Sequence, residues 1–149
     1  MANVINIKNK KAWHDFEILE KFIAGMQLKG TEIKSIRMGK ASLVDSYCYF
    51  VKGELYVKNM QIAEYNWGTH YNHLPGRERK LLLNRRELKK LEKNVKERGY
   101  TIIVLRLFIS EKGYAKLEIA LGKGKKEYDK REDMKKKDTQ RQLERLSRY

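Results

Sequence analysis

The last 27 residues, Lys123 to Tyr149, cannot join a hydrophobic core, so whatever fold the chain adopts must be built from the residues before them. Of the chain's 34 Lys and Arg, 11 lie in this segment. Of its 19 Asp and Glu, six do, leaving the segment at +5. Its apolar residues are only Tyr128, Met134, Leu143, Leu146 and Tyr149. Ordering a backbone costs about 1–2 kcal/mol per residue, and so few apolar groups do not offset that cost. The segment contains good helix formers and no proline. A basic tail of this kind is expected to be disordered when free and to fold on a polyanion, with RNA the foremost candidate.

Residues 1–122 keep 23 basic and 13 acidic residues, +10 of the total +15. Two separately basic parts imply two electrostatic contacts. An anionic membrane would also attract such a chain. However, no long apolar run or leader sequence is present, so a membrane partner is not expected and a cytoplasmic location is. The single cysteine, Cys48, excludes an internal disulfide. Its setting, Tyr47-Cys48-Tyr49-Phe50-Val51, reads as a buried strand and not as a reactive thiol. His14, His70 and His73 lack metal-ligand spacing, so no metal or cofactor is implied. The serines lack a nucleophile-elbow context. Gly122-Lys123-Gly124-Lys125-Lys126 lacks the spacing of a phosphate-cradling loop and reads as a flexible basic hinge. An enzyme is therefore not expected.

Along the chain, residues 1–12 read as a polar, basic arm, with residues 1–8 outside the folded unit. A strand runs from Phe16 to about Leu28, and Gly25 suggests a bulge or bend within it. Thr31 and Gly39 bracket a short helix with Ile33 and Ile36 as its buried stripe. Glu32, Lys34, Ser35 and Arg37 are left for solvent or a partner. Strands over 46–52 and 54–61 meet at Lys52-Gly53. A helical pattern resumes over Gly76–Leu83. Asn84 with Glu87 has capping-box spacing for a further helix that ends at Gly99 and buries Leu88, Leu91 and Val95. Thr101–Ile109 is a nearly continuous apolar strand. Tyr114–Leu121 alternates, with Ala115, Leu117, Ile119 and Leu121 on one side. This order predicts a mainly β, Greek-key barrel of the five-stranded oligonucleotide-binding type, with accessory helices. The expected division is an arm at 1–8, a barrel at 9–122 and a tail at 123–149.

Within the barrel unit, Tyr65 to His73 interleaves aromatics, amides and imidazoles, followed by Arg77, Arg79 and Lys80. Unpaired RNA is recognised by such a mixture: rings for stacking, amides for base edges, cations for phosphates. Some of these rings are equally suited to capping the barrel end. The polar face of the helix over 85–98 reads as a solvated, basic surface.

Three blocks carry a family likeness. Gly30-Thr31-Glu32-Ile33-Lys34-Ser35-Ile36-Arg37, with Gly39-Lys40-Ala41 and Asp45-Ser46-Tyr47, matches a GTEVKSLR-x-GKA…DSY pattern. Arg79-Lys80-Leu81-Leu82-Leu83 with Arg86-Glu87-Leu88 matches RKLLL…REL. Lys123-Gly124-Lys125-Lys126-Glu127-Tyr128-Asp129-Lys130-Arg131 matches KGKK-x-(H/Y)-DKR. In order and spacing the chain resembles the SmpB, or SsrA-binding protein, family. That resemblance implies an adaptor for transfer-messenger RNA (tmRNA) in bacterial trans-translation. The barrel is expected to hold the tRNA-like domain of tmRNA. Its expected contacts are Glu32, Lys34, Ser35, Arg37, Lys40, His70, Asn72, His73, Arg77, Arg79, Lys80, Lys123, Lys125 and Lys126.

The resemblance also implies that the tail occupies the decoding site and empty messenger channel of the small ribosomal subunit, against its rRNA. There the expected contacts are Tyr128, Asp129, Lys130, Arg131, Lys135, Lys136, Arg141 and Arg145. Tyr128 would stack on a decoding-site base, the alternative being packing on the barrel edge. Elongation factor Tu in complex with tmRNA is a further implied partner; DNA is not, and nothing requires a dimer. Two other readings remain open at this level: a general tRNA-binding or ribosomal barrel protein, and an RNA-processing enzyme whose site is assembled only in space.

Overall fold

Closure of a single antiparallel sheet organises the molecule. The structure, a computed structural model, describes residues 5–67 and 72–125. Strand β1 (Asn6–Lys8) and helix α1 (Lys10–Asp15) precede the long β2 (Phe16–Met26), which leads to α2 (Gly30–Arg37). Then come β3 (Ala41–Ser42), β4 (Tyr47–Val51), β5 (Glu54–Lys58) and β6 (Gln61–Ile62). The last elements are β7 (Arg79–Leu82), α3 (Arg85–Arg98), β8 (Thr101–Ile109) and β9 (Ala115–Gly124). Hydrogen bonding runs β8–β4–β5–β7–β2–β9, and β9 pairs back with β8 to close the ring. Closure leaves no ring strand with an open edge.

The mainly β barrel with accessory helices matches the class read from sequence, but its ring has six strands where five were predicted. The additional one is β7, in the segment read as helical from its Arg-, Lys- and Leu-rich composition. So short a helix is marginal alone, while an extended segment gains two partners. Tyr56 pairs with Lys80 and Val57 with Arg79 on one side; Gly25 pairs with Leu82 and Met26 with Leu81 on the other. Its burial has period two, with Arg79 and Leu81 inside.

Two boundaries and one strand irregularity also differ from the sequence reading. Part of the expected arm is integrated, since Asn6–Lys8 pairs with Phe108–Arg106 of β8 beyond the reach of β4. Buried Asn9 fixes the junction, its Nδ2 donating to Val104 O at 2.9 Å. The Gly122–Gly124 segment is strand and not hinge: Lys123 pairs with Glu17 and Gly124 with Phe16. A Cβ on Gly122 would lie 3.0 Å from Ile103 Cδ1, so glycine there permits close packing. Finally, the register shift in β2 falls between Ile18 and Glu20, not at Gly25.

Other elements follow their local signals. Lys52 and Gly53 both have positive φ (50° and 80°), as a tight hairpin turn of matching twist requires. Helix α3 is capped reciprocally: Glu87 N–H donates to Asn84 Oδ1 at 2.8 Å, and Asn84 N–H donates to Glu87 Oε1 at 3.3 Å. It ends at left-handed Gly99. Leu91 from α3 and Ile36 from α2 reach the barrel core with no exposed surface, joining Leu55, Val57, Leu81, Val104, Leu117 and Ile119. Each such side chain contributes about 1.5–3 kcal/mol through burial.

Candidate nucleic-acid interface

Helix α2 is attached to the barrel through its acidic residue. Glu32 is fully buried, and its carboxylate accepts hydrogen bonds from the Lys29 N–H at 2.8 Å, from Arg77 Nη2 and from Arg79 Nε. Arg79 is itself fully buried in β7. Its remaining donors reach Met60 O at 2.7 Å and Pro75 O at 3.0 Å. Burial pushes the Glu32 carboxyl upward, but the bonds from Arg77, the Lys29 N–H and Arg79 outweigh it and hold the group below the usual carboxylate range. Burial likewise pulls the Arg79 guanidinium down against the opposing pull of Glu32, and the guanidinium stays charged.

The bond from Lys29 N–H to Glu32 is the acidic half of a capping box, placing the helix cap at Lys29. The expected cap, Thr31, is engaged elsewhere: its Oγ1 lies 2.8 Å from His73 Nδ1. His73 is buried, and its Nε2 lies 2.9 Å from Ile62 O. A carbonyl only accepts, so Nε2 donates to it, and in the neutral ring Nδ1 accepts from Thr31. Asn72 closes the neighbouring loop, donating from Nδ2 to Tyr65 O at 2.9 Å while its Oδ1 accepts from the Tyr65 N–H at 3.2 Å.

These contacts divide the expected RNA ligands into two groups. Lys34, Arg37 and Lys40 are exposed on and after α2. Lys34 Nζ stands 5.3 Å from the centre of the Tyr65 ring, and Trp67, two residues further along the chain, is 79% exposed. Glu32, Ser35, His73 and Arg79 are interior, and the expectation that they form surface is corrected: all four face the barrel and not solvent. Among the described residues Ser35 Oγ has no hydrogen-bond partner. Arg77 bridges the two groups, partly exposed but tied to Glu32. Lys80 is paired with Glu54 at 2.8 Å.

Lys123 and Lys125 do not join this cluster. They lie beside the Phe16 end of β2, whereas α2 follows its Met26 end, a strand length of about 30 Å away. His70 and Lys126 lie outside the described residues, as do the expected ribosome contacts Tyr128, Asp129, Lys130, Arg131, Lys135, Lys136, Arg141 and Arg145.

Sequence reasoning missed a row of rings on the paired strands β4 and β5. Tyr47, Tyr49 and Tyr56 have centroids 6.3 and 6.2 Å apart in succession. The alternation Tyr47-x-Tyr49, opposite Tyr56 across the hairpin, was the available signal. A hydrogen bond to Glu78 pushes the Tyr49 phenol up to about 12. Among the described residues, no three His, Cys, Asp or Glu side chains gather as a metal site, and no helix is long and apolar enough to cross a membrane.

Comparison with known proteins agrees with this architecture. The family model described as SmpB protein matches residues 6–149. The SsrA-binding protein of Phocaeicola vulgatus is 63% identical over 142 residues, covering 95% of each chain. That of Bacteroides thetaiotaomicron is 58% identical over the same length and coverage. A solved structure described as "tmRNA-SmpB: a journey to the center of the bacterial ribosome" superposes with a TM-score of 0.69 at 45% identity, covering 83% of this chain and 86% of the other. With a family match spanning all but the first five residues, this chain belongs to the SmpB protein family.

Proposed function

We propose that this protein is an RNA-binding adaptor, not an enzyme, that binds the tRNA-like domain of tmRNA and delivers it to stalled ribosomes. The observation that carries the reading is the extent of the family match, which includes both the barrel and the basic tail. The geometry supplies a binding face to go with it. The buried Glu32–Arg79 pair fixes α2 so that Lys34, Arg37 and Lys40 stand exposed, with Lys34 Nζ 5.3 Å from the centre of the Tyr65 ring. Cations next to an aromatic ring suit phosphates next to unpaired bases.

In this reading the barrel engages tmRNA as a monomer, together with elongation factor Tu. The tail, with Tyr128 at its root, enters the decoding site and the empty messenger channel. Lys123 and Lys125, about a strand length from α2, make a second contact at the root of the tail and not an extension of the first. Recovering the protein from cells and sequencing its bound RNA tests the proposal: tmRNA should be enriched far above tRNA and rRNA fragments. Recovery of bulk tRNA without tmRNA would favour a general tRNA-binding barrel instead.

A further inference from the structure

Every ring strand has a neighbour on each side, but the seam between β4 and β8 is hydrogen-bonded over only part of its length. The β4–β5 ladder continues to Val51 opposite Glu54, whereas β4–β8 pairing stops at Cys48 opposite Ile102. Strand β8 begins only at Thr101, and Tyr100 belongs to the connection that leaves α3 at left-handed Gly99. The hairpin fixes where the β4 peptide groups point. Its two-residue turn, Lys52-Gly53, makes Val51 and Glu54 the closing hydrogen-bonded pair. Hydrogen-bonded and non-hydrogen-bonded pairs alternate from there. Tyr49 therefore bonds to Tyr56, while Cys48 and Phe50 turn their N–H and C=O away from β5. Cys48 meets Ile102; among the described residues no strand stands opposite Phe50 on that side.

A cavity of about 540 Å³ lies where that strand would have run. Phe50, Val95 of α3, Tyr100 and Ile102 line it, with buried Cys48, whose thiol is pushed up by burial and carries no charge. Gly53, Glu92 and Lys96 are shared with an adjoining cavity of about 640 Å³, so the two form one groove along α3. The groove is basic. Two of its carboxylates are already paired, Glu92 with Lys96 at 3.0 Å and Glu54 with Lys80 at 2.8 Å. That leaves Glu97 against Lys52, Arg85, Lys89 and Lys93, and none of these four cations forms an ion pair among the described residues. An open peptide group beside an apolar cavity, flanked by uncompensated cations, has the parts of a site for an acidic strand.

We propose that this groove docks an extended, acidic segment of a protein partner, added as a strand to β4. The partner residue opposite Phe50 exchanges both peptide hydrogen bonds with it. That residue points to the same side of the sheet as Phe50 and places a bulky apolar side chain in the cavity. Carboxylates on either side of it meet Lys52, Lys89 and Lys93. A peptide supplies the donor that the Phe50 C=O lacks, whereas a phosphodiester has none to give, and apolar walls disfavour a phosphate. The contact uses no residue of α2, so it is independent of the RNA-binding reading above. With one residue of β4 open for pairing, it is weak and reversible, in the class of transient encounters.

The test uses the full-length protein, free of RNA, and two capped peptides of Glu and Asp around one central Phe, identical except that the second is N-methylated at the Phe. Amide exchange is followed by NMR. In the free protein the Phe50 amide should exchange faster than that of Tyr49, which is bonded to β5. The first peptide should slow exchange at Phe50 by roughly tenfold or more and shift the methyl signals of Val95 and Ile102. The N-methylated peptide should bind roughly tenfold more weakly, the size of one peptide hydrogen bond lost with its acceptor left unpaired. Lys89→Glu and Lys93→Glu together should weaken the first peptide at least tenfold with the melting temperature unchanged, since both side chains are exposed. Equal binding of the two peptides overturns the proposal, because it indicates attraction to charge alone. Binding that leaves the Phe50 amide unprotected, or that survives the double substitution, overturns it as well. A single-stranded oligoribonucleotide that protects Phe50 more strongly than the first peptide would assign the groove to nucleic acid and also overturn it.

Discussion

Glu32 in α2 and Arg79 in β7, 47 residues apart, are both fully buried and hydrogen-bonded to each other. This contact, reinforced from the surface side by Arg77, sets the position of the whole cationic face of α2 on the barrel. Removing one member of a buried pair strands the other charge and typically costs about 3–5 kcal/mol. Glu32→Ala should therefore lower thermal stability and RNA affinity together. A variant that lost affinity at unchanged melting temperature would instead mean that Glu32 meets RNA directly.

The same carboxyl gives the stability a pH dependence of known sign. Its folded-state pKa lies below the ordinary 4.5, so its contribution is complete above the unfolded value and disappears as pH falls through the lower, folded one. Urea unfolding between neutral pH and pH 3 should show stability falling with acid. In Glu32→Gln, already weaker at pH 7, that fall should be smaller. Parallel curves for the two proteins would remove Glu32 from the acid response.

Ser35 makes the opposite prediction. It is buried with an unpartnered hydroxyl, and removing such a group forfeits no hydrogen bond. Ser35→Ala should melt within about 0.5 kcal/mol of the parent or above it, the range of a change that breaks no named contact, and should bind RNA normally. A clear loss of RNA affinity at full stability would return Ser35 to the interface.

Asn72 closes its loop with three hydrogen bonds to the backbone of Tyr65 and His73. Asn72→Ala should speed hydrogen exchange at the Tyr65 and His73 amides while leaving the amides of β8 and β9 protected. Unchanged exchange at Tyr65 would show that the loop is held by other means.

Much of this was legible in the sequence, and the exceptions have physical causes. The α3 capping box, the β8 apolar run and the alternation of β9 are local signals, and their elements formed where the signals lie. The strand β7 was hidden because Arg79-Lys80-Leu81-Leu82 has helical composition, and only its two partner strands make it extended. Glu32, Ser35, His73 and Arg79 read as surface because polar side chains usually are. The burial of Glu32, His73 and Arg79 depends on partners brought from distant segments, which no single window of sequence contains. Lys116 lies on the other side of β9 from Ala115 and Leu117, as the alternation implied, but its proximity to Lys29 and Arg37 is a product of barrel closure.

Charge predicts how RNA binding should respond to salt. If phosphate contacts supply most of the affinity, a log–log plot of binding against salt should fall with a slope of about −0.7 to −0.9 per phosphate neutralised. Lys34→Ala, Arg37→Ala and Lys40→Ala should each reduce the slope by about one contact. A salt-independent affinity would contradict the electrostatic reading of the basic face.

The division of labour between barrel and tail is the central claim, and one paired measurement tests it most directly. A chain lacking residues 132–149 is compared with the full-length protein for affinity to tmRNA and for peptide tagging on stalled ribosomes. Affinity for tmRNA should stay close to that of the full chain, and tagging should be abolished. Loss of tmRNA binding with ribosomal activity retained would contradict it.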